Sequence, residues 1–281
     1  MTTPSKDLAA RVAAGGTALD KKGDTIFDLI ERQKPQIARA LGKAMDPDRF
    51  TRIILTEIRR VPQLAECTPE SLLGAMMLSA QLGLEPGGPL GLCYFLPFNN
   101  SKTGKKEGQL SIGYKGYVTL GWESSNLIIE AYEIFENDKF SFTVGVGLPE
   151  HTFDILKPRG EIIGVWVKVT YPNGLARFRP VQKAEIEEHR KKSQQPDGPA
   201  WKHSYGQMAC KTGIRIIASQ LPLSPLMRKA MLADEATTVA QVKADGVALN
   251  ATVEYEDHEE VIDVSSDELD EQFQTAMEGD D

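Results

Sequence analysis

The chain has 281 residues, 41% of them hydrophobic, which is enough to bury the core of one or two domains. It contains no run of 18 apolar residues and no basic-then-apolar leader, so we expect a soluble, cytoplasmic protein without a membrane partner. Cys67, Cys93 and Cys210 lie far apart without CxxC spacing, which argues against a disulfide scaffold or a zinc site.

The charge is unevenly distributed along the chain. From Ala233 onward there are sixteen Asp or Glu residues against one Lys, a net charge of −15, whereas residues 1–232 carry 31 basic and 24 acidic residues, a net charge of +7. A basic body with an acidic tail suggests a nucleic-acid or protein partner. We divide the chain into a mobile arm (1–23), a DNA-binding and oligomerisation core (24–232) and a mostly disordered acidic tail (233–281) that binds a partner.

Three helices are predicted first. Asp24 precedes an apolar-periodic stretch that continues to Ala44, with Pro35 as the expected break or kink. Asp46-Pro47 and Thr68-Pro69 each combine an N-cap residue with proline at the first helical position, and so predict two further helix starts.

Short strands and further helices follow, which makes the predicted fold α+β: N-terminal helices, a small antiparallel sheet with hairpins, a C-terminal basic helix and the acidic tail. The strand-like stretches are 90–98, 109–114, 127–135, 140–144, 161–171 and 175–178. A short helix is predicted from 114–117 through Trp122, and the later helices are 182–192, 204–219 and 225–232. The first hairpin has a basic tip with Lys102, Lys105 and Lys106, and the helix 182–192 ends in Lys191 and Lys192.

The predicted helix 204–219 places Lys211 and Arg215 one above the other, with Gln207 near the same side. Two interpretations of this face are open. It is either a solvated basic face, as on many helices, or a surface on which both cations meet one polyanion.

Sequence motifs of enzymes are missing. The chain has no GxxxxGK[ST] loop, no dinucleotide fingerprint, no HExxH and no GxSxG elbow. Glu185, Glu187 and Glu188 are better explained as a solvated helix surface than as metal ligands. We therefore expect no catalytic centre, no bound metal and no use of ATP, while a dependence on divalent metal ions stays open.

Cations alternate with aromatic residues in two places: Tyr114-Lys115-Gly116-Tyr117, and Trp201-Lys202 shortly before Lys211 and Arg215. A single-strand groove needs this mixture, because cations follow phosphates and aromatic faces accept any base, at about 1–3 kcal/mol per stacked base. The alternative for each tyrosine is a place in the core.

Three colinear stretches resemble the RecT family of phage recombinases: 81–98 (QLGLEPGGPLGLCYFLPF), 110–120 (LSIGYKGYVTL) and 201–224 (WKHSYGQMACKTGIRIIASQLPLS). The similarity covers roughly residues 25–235 and includes RFTRIILTEIRRVPQLAEC at 49–67.

The resemblance implies a RecT-like annealing fold. It also implies that the protein coats single-stranded DNA as a ring or helical filament in a bacterial cell. It further implies annealing of complementary strands without ATP, through a duplex intermediate, with a partner 5′→3′ exonuclease. For the acidic tail two roles stay open: it competes with DNA for the groove, or it binds a replication or nuclease partner such as a host single-strand-binding protein.

The family's M-A-K-K-T-x-x-R is here Met208–Arg215, so the resemblance gives Lys211 and Arg215 a phosphate-binding role, and Cys210 replaces a family lysine. The resemblance also implies that Tyr114 and Lys115 line the groove. Trp201 corresponds to the aromatic residue that precedes the basic helix in the family. Two rival functions remain: a passive single-strand coat, and a small-molecule enzyme with a pocket near Trp201.

Overall fold

The computed structural model describes residues 26–100, 103–143, 146–193 and 195–234, and the backbone of 237–242 and 248–254. The helices are α1 Ile26–Leu41, α2 Pro47–Arg60, α3 Pro69–Leu82, α4 Tyr114–Ser125, α5 Lys183–Lys191, α6 Pro199–His203, α7 Tyr205–Ala218 and α8 Pro225–Ala233. The strands are β1 Cys93–Asn99, β2 Lys106–Ile112, β3 Ile128–Phe135, β4 Lys139–Thr143, β5 Val146–Thr152, β6 Ile162–Thr170, β7 Ala176–Gln182, β8 Thr237–Val242 and β9 Ala248–Glu254.

The N-terminal helices begin where the sequence signals place them. The Asp46 carboxylate accepts a hydrogen bond from the backbone N–H of Arg49 at 2.8 Å, and Pro47 occupies the first helical position of α2. Of the two outcomes expected at Pro35, a break is wrong, because α1 continues through this exposed residue to Leu41. Gly42, with φ of 56°, follows the end of the helix.

The strands form small antiparallel sheets, as the fold class predicts. β1 pairs with β2, β4 with β5 and β8 with β9, while β6 lies between β3 and β7 in a three-stranded sheet. The turn at Asn173-Gly174 joins β6 to β7, and Gly174 has a φ of 82°. The short helix expected after the second strand and through Trp122 is confirmed as α4, which begins at Tyr114.

Segment 237–254, which the composition assigns to the disordered tail, contributes the strands β8 and β9, whose backbone lies against α3. The proposed arm (1–23), Lys102 and the tail beyond residue 254 lie outside the described residues, and the domain boundaries stay predictions.

Two apolar clusters fill the interior. The larger one lies among α1, α2, α3, the β1–β2 hairpin, α4, α7 and α8. The smaller one, called the second cluster below, consists of Val165, Val181, Ile186, Trp201, Ala209 and Cys210. Helix α7 separates the two and packs on the β3-β6-β7 sheet. No helix among the described residues has the length and apolarity needed to cross a bilayer.

Candidate nucleic-acid interface

The helix predicted at 204–219 is confirmed as α7. More of its faces are buried than in an amphipathic helix at the protein surface. Ile214 and Ile217 face the large cluster, and Ala209 faces the second cluster. A Cβ atom at Gly213 would lie 2.8 Å from Val167 Cγ2, so the helix and the sheet approach each other closely at this position.

Lys211 does not lie on an exposed face of α7. The residue is 8% exposed. Its Nζ lies 2.8 Å from Asp234 Oδ2 and donates to Asp234 Oδ1 at 3.0 Å and to Ser111 Oγ at 3.2 Å. The interpretation of this position as solvated is therefore wrong, because β2 and the end of α8 cover that side of α7.

Asp234 collects further contacts at this point. Its carboxylate accepts hydrogen bonds from the backbone N–H of Ile112 at 2.8 Å and from the Tyr117 hydroxyl at 3.0 Å, and Arg215 Nη1 lies 3.9 Å from it. We call this group the Asp234 cluster: Asp234, Lys211, Arg215, Tyr117 and Ser111. It ties β2, α4, α7 and α8 together through one buried carboxylate.

The charges in the Asp234 cluster stabilise the ionised carboxylate. Burial raises the pKa of Asp234, but Lys211 and Arg215 lower it by more, so its pKa lies below the ordinary value of 3.8. Burial and the neighbouring carboxylate raise the pKa of Tyr117 well above 10.0, which keeps its hydroxyl a donor. The Asp234 carboxylate is therefore ionised at neutral pH and accepts the hydrogen bonds of the cluster.

The predicted aromatic residues lie mostly inside the protein. Tyr117 is fully buried and Trp201 is 5% exposed. The Trp201 ring packs in the second cluster, 5.9 Å from the Tyr205 ring, with the Arg190 guanidinium 5.7 Å from its centroid. Tyr114 is half-buried and contacts both clusters. Base stacking on Tyr117 or Trp201 requires these rings to leave the core.

Several predicted polar residues are exposed, and they come from elements around the second cluster. Lys115 lies in the first turn of α4, Lys192 follows α5, Lys202 lies in α6, and Gln207 lies in the first half of α7. Each of these elements contributes a residue that packs in or against the second cluster. Exposed residues from four separate stretches of the sequence therefore lie on elements that pack around this cluster.

Other predicted cations have acidic partners or lie elsewhere. Lys191 donates to Glu188 at 2.8 Å, and Lys106 at the start of β2 pairs with Glu66, which lies between α2 and α3. Lys105 is exposed beside the tip of the β1–β2 hairpin, on a different element from the exposed residues described above. Within the described ranges, no three His, Cys, Asp or Glu side chains are arranged to hold a metal ion.

A cavity of about 1190 Å³ lies beside β7, between the β4–β5 hairpin and the end of α7. Its walls include Phe140, Phe142, Arg177, Phe178 and Arg179, and none of the twelve predicted site residues that the structure describes lines it. The alternation Arg177-Phe178-Arg179, at the end of the predicted strand 175–178 and just beyond it, is the sequence signal for this site.

The β4–β5 hairpin is fastened to the sheet by a second buried carboxylate. Arg159 donates to both oxygens of Asp138, at 2.9 and 2.6 Å, and His151 Nε2 lies 2.9 Å from Asp138. Trp166 Nε1 donates to His151 Nδ1 at 3.0 Å, which places the imidazole proton on Nε2. The hydrogen bonds from Arg159 hold the pKa of Asp138 far below its ordinary value.

Comparisons with known proteins agree on one family. The sequence model of the RecT family matches residues 48–247. The protein named RecT from Escherichia coli (strain K12) is 34% identical over 249 residues, which cover 85% of this chain and 91% of that protein. The matched region includes β2, α4, α6, α7 and the Asp234 cluster.

Proposed function

Because the chain belongs to the RecT family, we propose that it binds single-stranded DNA and anneals complementary strands in homologous recombination, without ATP. The match over residues 48–247 carries this proposal. We further propose that the protein acts as a ring or helical filament. Its partners would be a 5′→3′ exonuclease and a host single-strand-binding protein, which the acidic tail would meet.

We place the DNA on the surface that covers the second cluster. Lys115, Lys192 and Lys202 supply cations from three different elements, and Gln207 adds a hydrogen-bonding group. Lys115 also lies at the N-terminus of α4, where first-turn N–H groups and the helix dipole favour an anion. A strand crossing this surface would meet positive charge from several parts of the chain.

The Asp234 cluster changes the proposed role of the two cations that the resemblance selects. Arg215 has a 29% exposed side chain, so we propose that it contacts phosphate directly. A phosphate contact by Lys211 would require the pair with Asp234 to open. We therefore propose that Lys211 acts by positioning α7 and Arg215 rather than by touching DNA.

Annealing follows from the physics of such a surface without a covalent step. Cations that hold the sugar-phosphate backbone leave base edges open to a second strand and screen repulsion between the two strands. Correct pairing gains about 1.4 kcal/mol per stacked step, and a mismatch loses this gain. Neighbouring subunits would prolong the surface, which predicts cooperative binding and a strong dependence on salt.

The salt dependence of oligonucleotide binding tests the placement of the DNA. In Lys115→Ala and Lys202→Ala, the slope of log affinity against log salt should fall by about 0.7 for each lost phosphate contact. Lys43→Ala is the matched control, since Lys43 is an exposed lysine of the N-terminal helical region. Equal effects of all three substitutions would contradict the placement.

Two rival functions are separated by other measurements. A passive single-strand coat would bind oligonucleotides with the same salt dependence but would not speed their annealing. An enzyme with a pocket near Trp201 would retain oligonucleotide affinity after Arg215→Ala, whereas the proposed contact predicts a loss.

A further inference from the structure

The cavity beside β7, called the β7 groove below, exposes much apolar surface. Phe142, Leu148 and Ile163 are 44–47% exposed, and Phe142 meets Phe178 edge-on with ring centroids 6.1 Å apart. Large apolar side chains that are half exposed in one groove offer a surface against which another apolar side chain can be buried. A volume of about 1190 Å³ has room for more than one large side chain.

The charge at the β7 groove is positive on one side. Arg177 is exposed and donates to the Gln220 carbonyl at 3.5 Å, and no ion pair to an acidic side chain is seen for it within the described ranges. Arg179 pairs with Glu185 at 3.1 Å, with 41% of its own side chain exposed. The groove therefore suits a ligand that is apolar with a few negative charges.

The C-terminal segment Ser265–Met277 of this chain has that character. It reads SSDELDEQFQTAM, with Leu269, Phe273 and Met277 at i, i+4 and i+8. In a helix, these three side chains lie within a stripe about 80° wide at 100° per residue. Four carboxylates, at positions 267, 268, 270 and 271, flank this stripe or lie opposite it.

We propose that the β7 groove is the docking site for this C-terminal segment of the same chain. Leu269 and Phe273 enter the groove beside Phe142 and Phe178, and the carboxylates lie near Arg177 and Arg179. Ten residues separate Glu254 from Ser265 and span about 35 Å when extended, so the segment has considerable reach. While the segment occupies the groove, other proteins can bind it only by displacing it.

The groove suits this segment better than it suits a DNA strand. Each nucleotide carries one phosphate, and binding of single strands depends on a row of cations. The groove offers two arginines, and Arg179 already has an acidic partner. An amphipathic segment instead gains binding free energy by burying two large apolar side chains. Such a segment needs only a few ion pairs with the groove.

Disulfide trapping in the full chain tests the docking. Gln220→Cys lines the groove and Gln274→Cys follows Phe273, while the three native thiols are buried and therefore slow to compete. We expect an intramolecular disulfide to form at least about tenfold faster than in the matched pair Thr56→Cys with Gln274→Cys, because docking raises the effective concentration of the two thiols. Thr56 lies on the exposed side of α2, away from the groove lining.

Phe273→Ser, added to the pair Gln220→Cys with Gln274→Cys, should reduce the rate of disulfide formation to that of the control pair Thr56→Cys with Gln274→Cys. Equal rates of disulfide formation in the two cysteine pairs would overturn the proposal. A rate that Phe273→Ser leaves unchanged would also overturn it. Disulfides that form only between chains would overturn the assignment to the same chain. Loss of oligonucleotide binding in Arg177→Glu, together with no trapping, would instead assign the groove to DNA. The test is independent of the annealing activity, so its failure leaves the proposed function standing.

Discussion

Asp234→Asn isolates what the Asp234 cluster contributes to stability. The substitution keeps the size of the side chain but removes its charge, leaving Lys211 in a site where its side chain is 10% exposed. Removing one partner of a buried ion pair costs about 3–5 kcal/mol, because the other charge stays buried without compensation. Asparagine still accepts a hydrogen bond from Ile112, so we expect about 3 kcal/mol, the lower end of this range.

Urea unfolding followed by tryptophan fluorescence measures this loss, since Trp166 and Trp201 are buried. Lys211→Met and the double variant Asp234→Asn/Lys211→Met complete a cycle. The double variant should lose at least about 1 kcal/mol less than the sum of the single variants. Asp154→Asn, at an exposed ion pair with Lys157, is the control and should leave the midpoint almost unchanged. A loss below about 1 kcal/mol for Asp234→Asn, or additive losses in the cycle, would refute the reasoning.

Three further predictions concern pH, thiol reactivity and packing. Asp138 and Asp234 have pKa values below the ordinary 3.8 in the folded chain, so their stabilisation is present above pH 3.8 and lost as the pH falls through the folded-state values. The free energy of unfolding should therefore decline under acid, and an unchanged value from pH 7 to pH 3 would contradict the ion pairs. Burial raises the pKa of Cys210 to about 12, so its thiol should react with a disulfide reagent only as the protein opens, and Cys210→Ala should keep full oligonucleotide affinity. Rapid modification of the native protein at this thiol, or weaker DNA binding by the alanine variant, would show that Cys210 lies on the DNA surface. Gly213→Val should lower the unfolding free energy by about 1–3 kcal/mol, since the added atoms collide with Val165 and Val167; wild-type stability would show that α7 lies farther from the sheet.

The sequence predicts those parts of the fold that depend on local signals. Asp46-Pro47 and Thr68-Pro69 mark helix starts because the fixed φ of proline, and at Asp46 a side-chain cap, act within one turn. The turn at Asn173-Gly174 is local in the same sense. Pro35 does not break α1, because the helix packs against α3 and α2 and continues past one missing N–H.

The candidate site was harder to predict, because burial depends on contacts between distant residues. Lys211 looks exposed from its helical neighbours alone, and the partner that buries it, Asp234, lies 23 residues further along the chain. Trp201 beside Lys202 has the pattern of a stacking platform, yet its indole fills the second cluster. The β7 groove joins two hairpins and the end of a helix, so only the folded chain brings its walls together.

The most direct test of the central claim is the rate at which two complementary oligonucleotides form a duplex, with the purified full chain and without ATP. The account predicts a rate well above the spontaneous one, decreasing with added salt and with the combined substitution of Lys115 and Lys202 by alanine. Tight binding to each single strand with no acceleration of duplex formation would contradict it and would identify a passive coat.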